Sequence, residues 1–525
     1  MTTATRVCPG CDRPLWAAYK GRRVVATLEG LTRFAVQVRR CRDADCPRHN
    51  VSLRAEAEGA IALPQQEFGL DVIALVGRLR HVEHRGVAEI HAELTRRGVG
   101  ICVRSVSCLL DRYDELLALS LSDPARLRRV VAEAGRVILA IDGLQPDVGH
   151  EVLWVIRDVL SGEILLARSL LSSCRADLAK LLGEVRSALQ PEAEGAAGVP
   201  IVGVISDGQH SIRDAVAEAL PGVPHQLCQF HYLREAARPI YEADRHAKVT
   251  LKKKVRGIRP IERAVEGRDD DEATAIRGYC AAVRTSLTDD GRPPLAASGL
   301  VLRDRLAKVA EGLDEVGAKK GLPKELTRLR AILAGGLEAT DSAWPEVRAA
   351  FGRVHRAAAI LRNKAGLDAA GVRRRFVGLM GEIGRHRDAA GGLDDAVGHF
   401  LKVTRSYWPG LFACYDTAGL PRTNNDLEQL FGSYRHHERR CSGRKVASPG
   451  MVVRGSVRLV SATATRLRPI ERADLVPSDL AAWRALRGGL ERRQEVRKMG
   501  HRFRRDPAAY LLSLKEIMIK PALPS

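Results

Sequence analysis

The sequence predicts a multidomain mixed α/β protein: a small cysteine-bearing module and a helical segment, then a mixed sheet that a large all-α insertion interrupts. Three observations carry this. Four of the eleven cysteines cluster within the first fifty residues. Apolar runs at 137–141, 151–159, 163–170 and 201–205 have the length and turn boundaries of strands. From Tyr241 to about Phe412, almost every segment repeats its apolar residues at helical spacing. At 525 residues the chain exceeds one hydrophobic core, and ordinary domain sizes suggest roughly two to four units.

The first module is read from Cys8-Pro-Gly-Cys11 and Cys41-Arg-Asp-Ala-Asp-Cys46. These pairs bracket two β-like runs, Arg23 to Thr27 and Phe34 to Arg40, with a turn near Gly30. Short loops let both sulfurs of a pair approach one ion, and so small a module has little other core. The expectation is a zinc ribbon with Zn²⁺ on Cys8, Cys11, Cys41 and Cys46, His49 being the alternative to Cys46. With all four positions filled by protein, the ion is structural. The other seven cysteines, Cys102, Cys108, Cys174, Cys228, Cys280, Cys414 and Cys441, are scattered, which argues against a disulfide framework.

Three apolar faces follow: Leu70, Ile73, Val76 and Leu79; Val87, Ile90 and Leu94; Val103, Val106, Leu110 and Tyr113. Gly98-Val-Gly100 breaks the last two, and helix, glycine turn and helix suggest a helix-turn-helix. An ordinary αα-hairpin has the same pattern. The second helix would offer Arg104, Ser105, Ser107 and Arg112 to a major groove.

Next comes a three-strand meander, with Ser161-Gly162 turning its second strand into the third. A helix carrying Leu178, Leu181, Leu182 and Val185 leads to the strand Ile201 to Ile205. A helix with Ile212, Val216 and Leu220 and a short strand around His225 to Phe230 complete this part. Asp142 is expected to end the first strand and Asp207 the later one, so two matching strands would deliver both carboxylates to one sheet edge. Paired acids repel unless cations lie between them, and hard oxygen donors suit Mg²⁺ or Mn²⁺. Asp-Gly is also a common turn formula, so the argument rests on the pair. A meander, a helix, a strand ending in Asp and a distant helix with a carboxylate follow the order of the ribonuclease H fold.

On these residues the sequence resembles the DDE transposases of the Mutator-like superfamily and their bacterial insertion-sequence relatives, over about residues 135–450. The matching features are Asp142, Asp207, Cys228-Gln-Phe-His231 and Glu428 in Thr-Asn-Asn-Asp-Leu-Glu, with a helical insertion before the Glu. The resemblance implies a ribonuclease H-like core with Asp142, Asp207 and Glu428 as catalytic ligands of two Mg²⁺ or Mn²⁺ ions. Cys228 and His231 would be accessory residues near them. Glu428 also fits a capping box begun by Asn425, and Asp426 and Glu438 are rival third carboxylates. The implied reaction is two-metal phosphodiester hydrolysis followed by strand transfer. A catalytically silent DNA-binding regulator and a nuclease of the same fold without joining activity are the alternatives.

Charge agrees with a DNA partner. Lys+Arg 84 against Asp+Glu 63 gives a formal charge of +21, which attracts polyanions. Arg435, Arg439, Arg440, Arg444 and Lys445 follow Glu428, and a second basic cluster runs from Arg492 to Arg505. The expected partner is double-stranded DNA, both terminal inverted repeats and target, bound by a homo-oligomer that is at least a dimer. Without an apolar stretch of signal or membrane-span length, a cytoplasmic, nucleoid-associated protein is expected. The boundaries read from these patterns are 1–60 for the ribbon, 65–125 for the helix-turn-helix and 133–240 for the first part of the core. The insertion takes 241–415, the helix with Glu428 lies in 416–465, and a basic helical tail fills 466–525.

Overall fold

The computed structural model describes residues 1–146, 150–190, 198–288, 291, 294–386, 388–444 and 448–519. Near the amino end, β1 (Trp16–Thr27) and β2 (Gly30–Arg40) form an antiparallel hairpin. Phe34, Val36 and Val38 are buried at the period of two that puts them on one face. Gly30, at φ 117°, makes the tight turn that a side chain would strain.

A five-stranded mixed sheet has the order β5-β4-β3-β6-β7. Its strands are β3 (Val137–Leu144), β4 (Val152–Asp158), β5 (Ile164–Leu170), β6 (Ile201–Ser206) and β7 (His225–Leu227). β3, β4 and β5 form an antiparallel meander, and β6 pairs with β7 in parallel. Val137 to Ile141 are buried without alternation, as expected of a strand covered on both faces. Asp158 closes the β4–β5 turn: its buried carboxylate accepts the backbone N–H of Ile138 and of Ser161 and the Ser161 hydroxyl.

Two sequence expectations need correction. Asp142 does not end β3, which continues to Leu144 because Gly143 and Leu144 still pair with Trp154 and Leu153. The last strand stops at Leu227 rather than Phe230, because Cys228 begins the helix Gln229–Ala236. The run from His225 to Phe230 reads as a strand until the helix register of Tyr232, Leu233 and Ala236 is included.

By internal contacts the chain divides into two units. One comprises 1–201, 214–221 and 425–525; the other comprises 202–213 and 222–424. In the first, helices Leu70–His81, Val87–Arg96 and Val103–Leu121 match the three apolar faces read from the sequence. Gly77 lets Leu70–His81 lie against the Tyr113 ring, whose carbons would overlap any Cβ placed there. Helices Pro449–Leu467 and Leu480–Arg505 return to Val103–Leu121 and neutralise two acids in its interior. Asp114 accepts from His81 Nε2 at 2.9 Å and Arg458 Nε at 3.2 Å. Glu115 is held by Arg454 and by Trp483 Nε1 at 3.0 Å. Burial works against the Asp114 charge, but His81 and Arg458 outweigh it and hold the carboxyl below its usual range. At Glu115 burial wins, and its carboxyl is pushed up despite Arg454.

The second unit is largely helical, as the insertion's periodicity predicts. Its core gathers Trp344, Phe351, Phe376, Phe400 and Phe412. Trp408 packs edge-on to Phe412 at 5.0 Å, against this core.

Replacing Arg458 with Met leaves the Asp114 charge buried with one partner fewer. The variant is expected to lose about 3–5 kcal/mol of stability, measured by chemical denaturation, with part of it recovered in the Asp114→Asn/Arg458→Met double variant.

Candidate active site

The four amino-terminal cysteines converge as the spacing predicts. Cys8 and Cys46 sulfurs lie 3.7 Å apart, those of Cys11 and Cys41 3.6 Å, and all four fall within 4.8 Å of one another. These separations suit one tetrahedral zinc. Backbone N–H groups of Gly10 and Arg48 point at the Cys8 and Cys46 sulfurs. The Gly10 contact, opposed by burial, lowers the Cys8 thiol to about 7. His49 is not in the cluster; its ring is engaged by the Asp43 carbonyl and the Asn50 side chain. Cys46, not His49, therefore completes the cluster.

The three carboxylates ride on three elements. Asp142 lies on β3 opposite Val155, its Oδ1 accepting from the Gly143 N–H at 2.7 Å. Glu428 is in the first turn of the helix Asn425–Ser442, which packs on β3. Both belong to the first unit. Of the rivals, Asp426 is exposed, whereas Glu438 is buried and accepts the Ser448 hydroxyl at 2.7 Å, a structural role.

Asp207 belongs to the second unit and directly follows β6. Its loop is clamped from several sides. Asp207 Oδ1 accepts the Gln209 N–H at 2.9 Å, and the Tyr407 hydroxyl donates to the Asp207 carbonyl at 3.0 Å. Arg213 lies over the Tyr407 ring and donates to the Gly208 and Ser406 carbonyls, both at 2.6 Å. Ser206 and His225 share a hydrogen bond of 2.9 Å, and burial lowers the His225 imidazole to about 4, so it is neutral. Gly208, at φ 91°, has the Tyr407 ring 2.6 Å from where a Cβ would stand.

Asp207 opens onto a cleft of about 630 Å³ within this unit, lined also by His210, Arg213, His231, Arg234, Glu235, Arg238 and Tyr407. Glu235 Oε2 lies 3.0 Å from the same Tyr407 hydroxyl and shares its one proton with the Asp207 carbonyl. Sequence reasoning left Arg213, Arg234, Glu235, Arg238 and Tyr407 unassigned. Arg234, Glu235 and Arg238 carried no signal for the cleft except helical spacing, since they recur with His231 at intervals of three and four. Tyr407 reaches the loop from 200 positions along the chain, which no local pattern announces.

Cys228 has a definite task. Fully buried, its sulfur accepts the Asn424 N–H at 3.4 Å, and its own N–H donates to the Ser206 carbonyl at 2.7 Å. Gln229 N–H donates to the Arg422 carbonyl at 2.9 Å. The motif thus ties the residue before Asp207 to the segment that enters the Glu428 helix. His231, three positions on, lines the cleft.

The residues assigned to DNA divide. Arg104 and Ser107 are exposed and Ser105 is half-buried, but Arg112 is mostly withdrawn, with Nε buried and burial lowering its pKa. Arg435, Arg439, Arg440 and Arg444 are exposed, and Lys445 lies outside the described residues. In the carboxy-terminal cluster, Arg502, Arg504 and Arg505 are exposed, whereas Arg493 is engaged with Glu151 and the Val452 and Val453 carbonyls. No described helix is long and apolar enough to cross a membrane.

No protein-family model and no curated protein matches the chain.

Gly208→Ala forces a β-carbon into the Tyr407 ring and a strained φ. It is expected to cost about 1–3 kcal/mol in thermal unfolding. Cys11→Ser/Cys41→Ser is expected to release the ribbon's zinc, read by elemental analysis of the purified chain against the unaltered protein.

Proposed function

We propose that the chain is a DNA transposase with a ribonuclease H-like core, related to the Mutator-like and bacterial insertion-sequence enzymes. On this reading Asp142, Asp207 and Glu428 hold two Mg²⁺ or Mn²⁺ ions. The observation that carries it is the place of each carboxylate on its own element. In the first unit an antiparallel meander bears Asp142 and the Glu428 helix packs on β3; in the second, Asp207 follows β6 at once.

Three carboxylates are the hard oxygen donors that such ions prefer. When bound, the ions lower the pKa of the attacking hydroxyl and offset charge developing on the phosphate. The protein's own part is positioning. Tyr407 and Arg213 hold the Asp207 loop in one conformation, and Cys228 ties that loop to the entry of the Glu428 helix. Arg234 and Arg238, exposed in the Asp207 cleft, supply positive charge for a phosphodiester. Exposed arginines at 435, 439, 440 and 444 track the backbone of the donor strand, while Arg104 and Ser107 face the groove of a terminal repeat. The ribbon supports the DNA-binding end. Two element ends must be brought together, so the working form is at least a dimer, acting on nucleoid DNA in the cytoplasm.

With Mg²⁺ or Mn²⁺, the purified chain is expected to cut DNA ending in the element's terminal inverted repeats. Asp207→Asn should cut at least about a hundredfold more slowly, a loss of about 2.7 kcal/mol of transition-state stabilisation. Its DNA affinity, read by mobility shift, should be retained. Cleavage at the unaltered rate by this variant overturns the assignment, and cleavage without joined donor and target products makes the protein a nuclease instead.

A further inference from the structure

Outside the ribbon, one other group of soft ligands gathers among the described residues: His84, His437 and Cys441 offer donor atoms that all lie within 4.8 Å of one another. All three belong to the first unit. His84 stands in the connection between helices Leu70–His81 and Val87–Arg96, whereas His437 and Cys441 are one turn apart on the Glu428 helix. His84 Nδ1 is 2.7 Å from His437 Nδ1, and the Cys441 sulfur is 3.5 Å from that same nitrogen. A tetrahedral zinc with bonds of about 2.0–2.3 Å sets N···S near about 3.5 Å and N···N near about 3.3 Å. The Cys441–His437 separation already has that value, and the two histidine nitrogens need to part by roughly half an ångström.

Two further observations point the same way, and a third histidine lies beside them. His84 is one of few non-glycine residues in the left-handed region, at φ 55°, a conformation that turns its ring toward the helix at a cost in backbone strain. His437 is fully buried and Cys441 nearly so. Beside them His81, 2% exposed, has a buried Nδ1 with no hydrogen-bond partner among the described residues, while its Nε2 is held by Asp114 at 2.9 Å. Its ring centroid is 5.3 Å from that of His437.

We propose that His84, His437 and Cys441 hold a second zinc ion. Two imidazoles and one thiolate select zinc over the hard cations. Binding expels the Cys441 thiol proton to solvent. The ring that donates in the Nδ1···Nδ1 hydrogen bond takes its Nε2-protonated tautomer, so both Nδ1 lone pairs meet the metal. Arg80 and Arg466 nearby oppose a cation, and the thiolate with the Asp114 carboxylate behind His81 offsets them. The ion would pin the helix-turn-helix segment to the helix that carries Glu428, which makes it structural. The proposal is independent of the transposase reading, since it concerns metal content alone.

The test is elemental analysis of the purified full chain. Two zinc ions are expected, one remaining in His84→Ala, in Cys441→Ser and in the Cys11→Ser/Cys41→Ser ribbon variant. A second readout keeps the test decisive if a variant folds poorly. Cobalt loaded into the ribbon variant should show the visible bands of a tetrahedral site with one thiolate. One zinc in the unaltered chain, undiminished by His84→Ala, overturns the proposal, as does a cobalt-loaded ribbon variant with no tetrahedral bands.

Discussion

Helix Val103–Leu121 carries two adjacent acids, Asp114 and Glu115, into a buried interior, and burying unpaired charge is among the costliest things a fold can do. The first unit is arranged around that constraint. Arg454 and Arg458 come from more than three hundred positions away to meet these acids, and Trp483 adds an indole N–H. Those partners lie on helices Pro449–Leu467 and Leu480–Arg505, so satisfying the charges brings the carboxy-terminal helices onto the amino-terminal ones. Apolar contact alone would stabilise this packing without choosing its register. The paired charges choose it, because a slipped helix would leave a carboxylate buried without its arginine.

The same economy of position governs the second unit. Asp207 sits where a strand gives way to a loop, the place where a side chain is freest and its direction least determined. Tyr407, Arg213, Gly208 and Cys228 remove that freedom through backbone conformation and hydrogen bonds to backbone atoms rather than to the carboxylate. The carboxylate itself accepts the Gln209 N–H and remains half-exposed toward the cleft.

Arginine is abundant in this protein, but its surroundings separate two uses. Arg112, Arg454, Arg458 and Arg493 are drawn into contacts with the protein, where a planar guanidinium can serve several oxygens at once. Arg104, Arg234, Arg238 and the arginines after Glu428 stay at the surface. The net charge of +21 speaks for a polyanion, yet only the exposed subset can meet one.

Much of the architecture was legible because short-range periodicity reports burial. The hairpin, the meander, the three early helices and the helical insertion follow from repeats of two and of 3.6 residues, and the four-cysteine cluster from the reach of a short loop around one ion. The sequence by itself thus determined most of the elements and the clustering of Cys8, Cys11 and Cys41, with Cys46 or His49 left as the fourth member. Tertiary structure decided what depends on distant partners. It extended β3 past Asp142 through pairing with β4, cut the strand after Leu227 where Cys228 turns into a helix, and withdrew Arg112 from solvent. It also brought Tyr407 to Asp207 and His84 to His437 and Cys441. Such meetings join residues hundreds of positions apart, and local periodicity carries no information about which distant side chains will share a space.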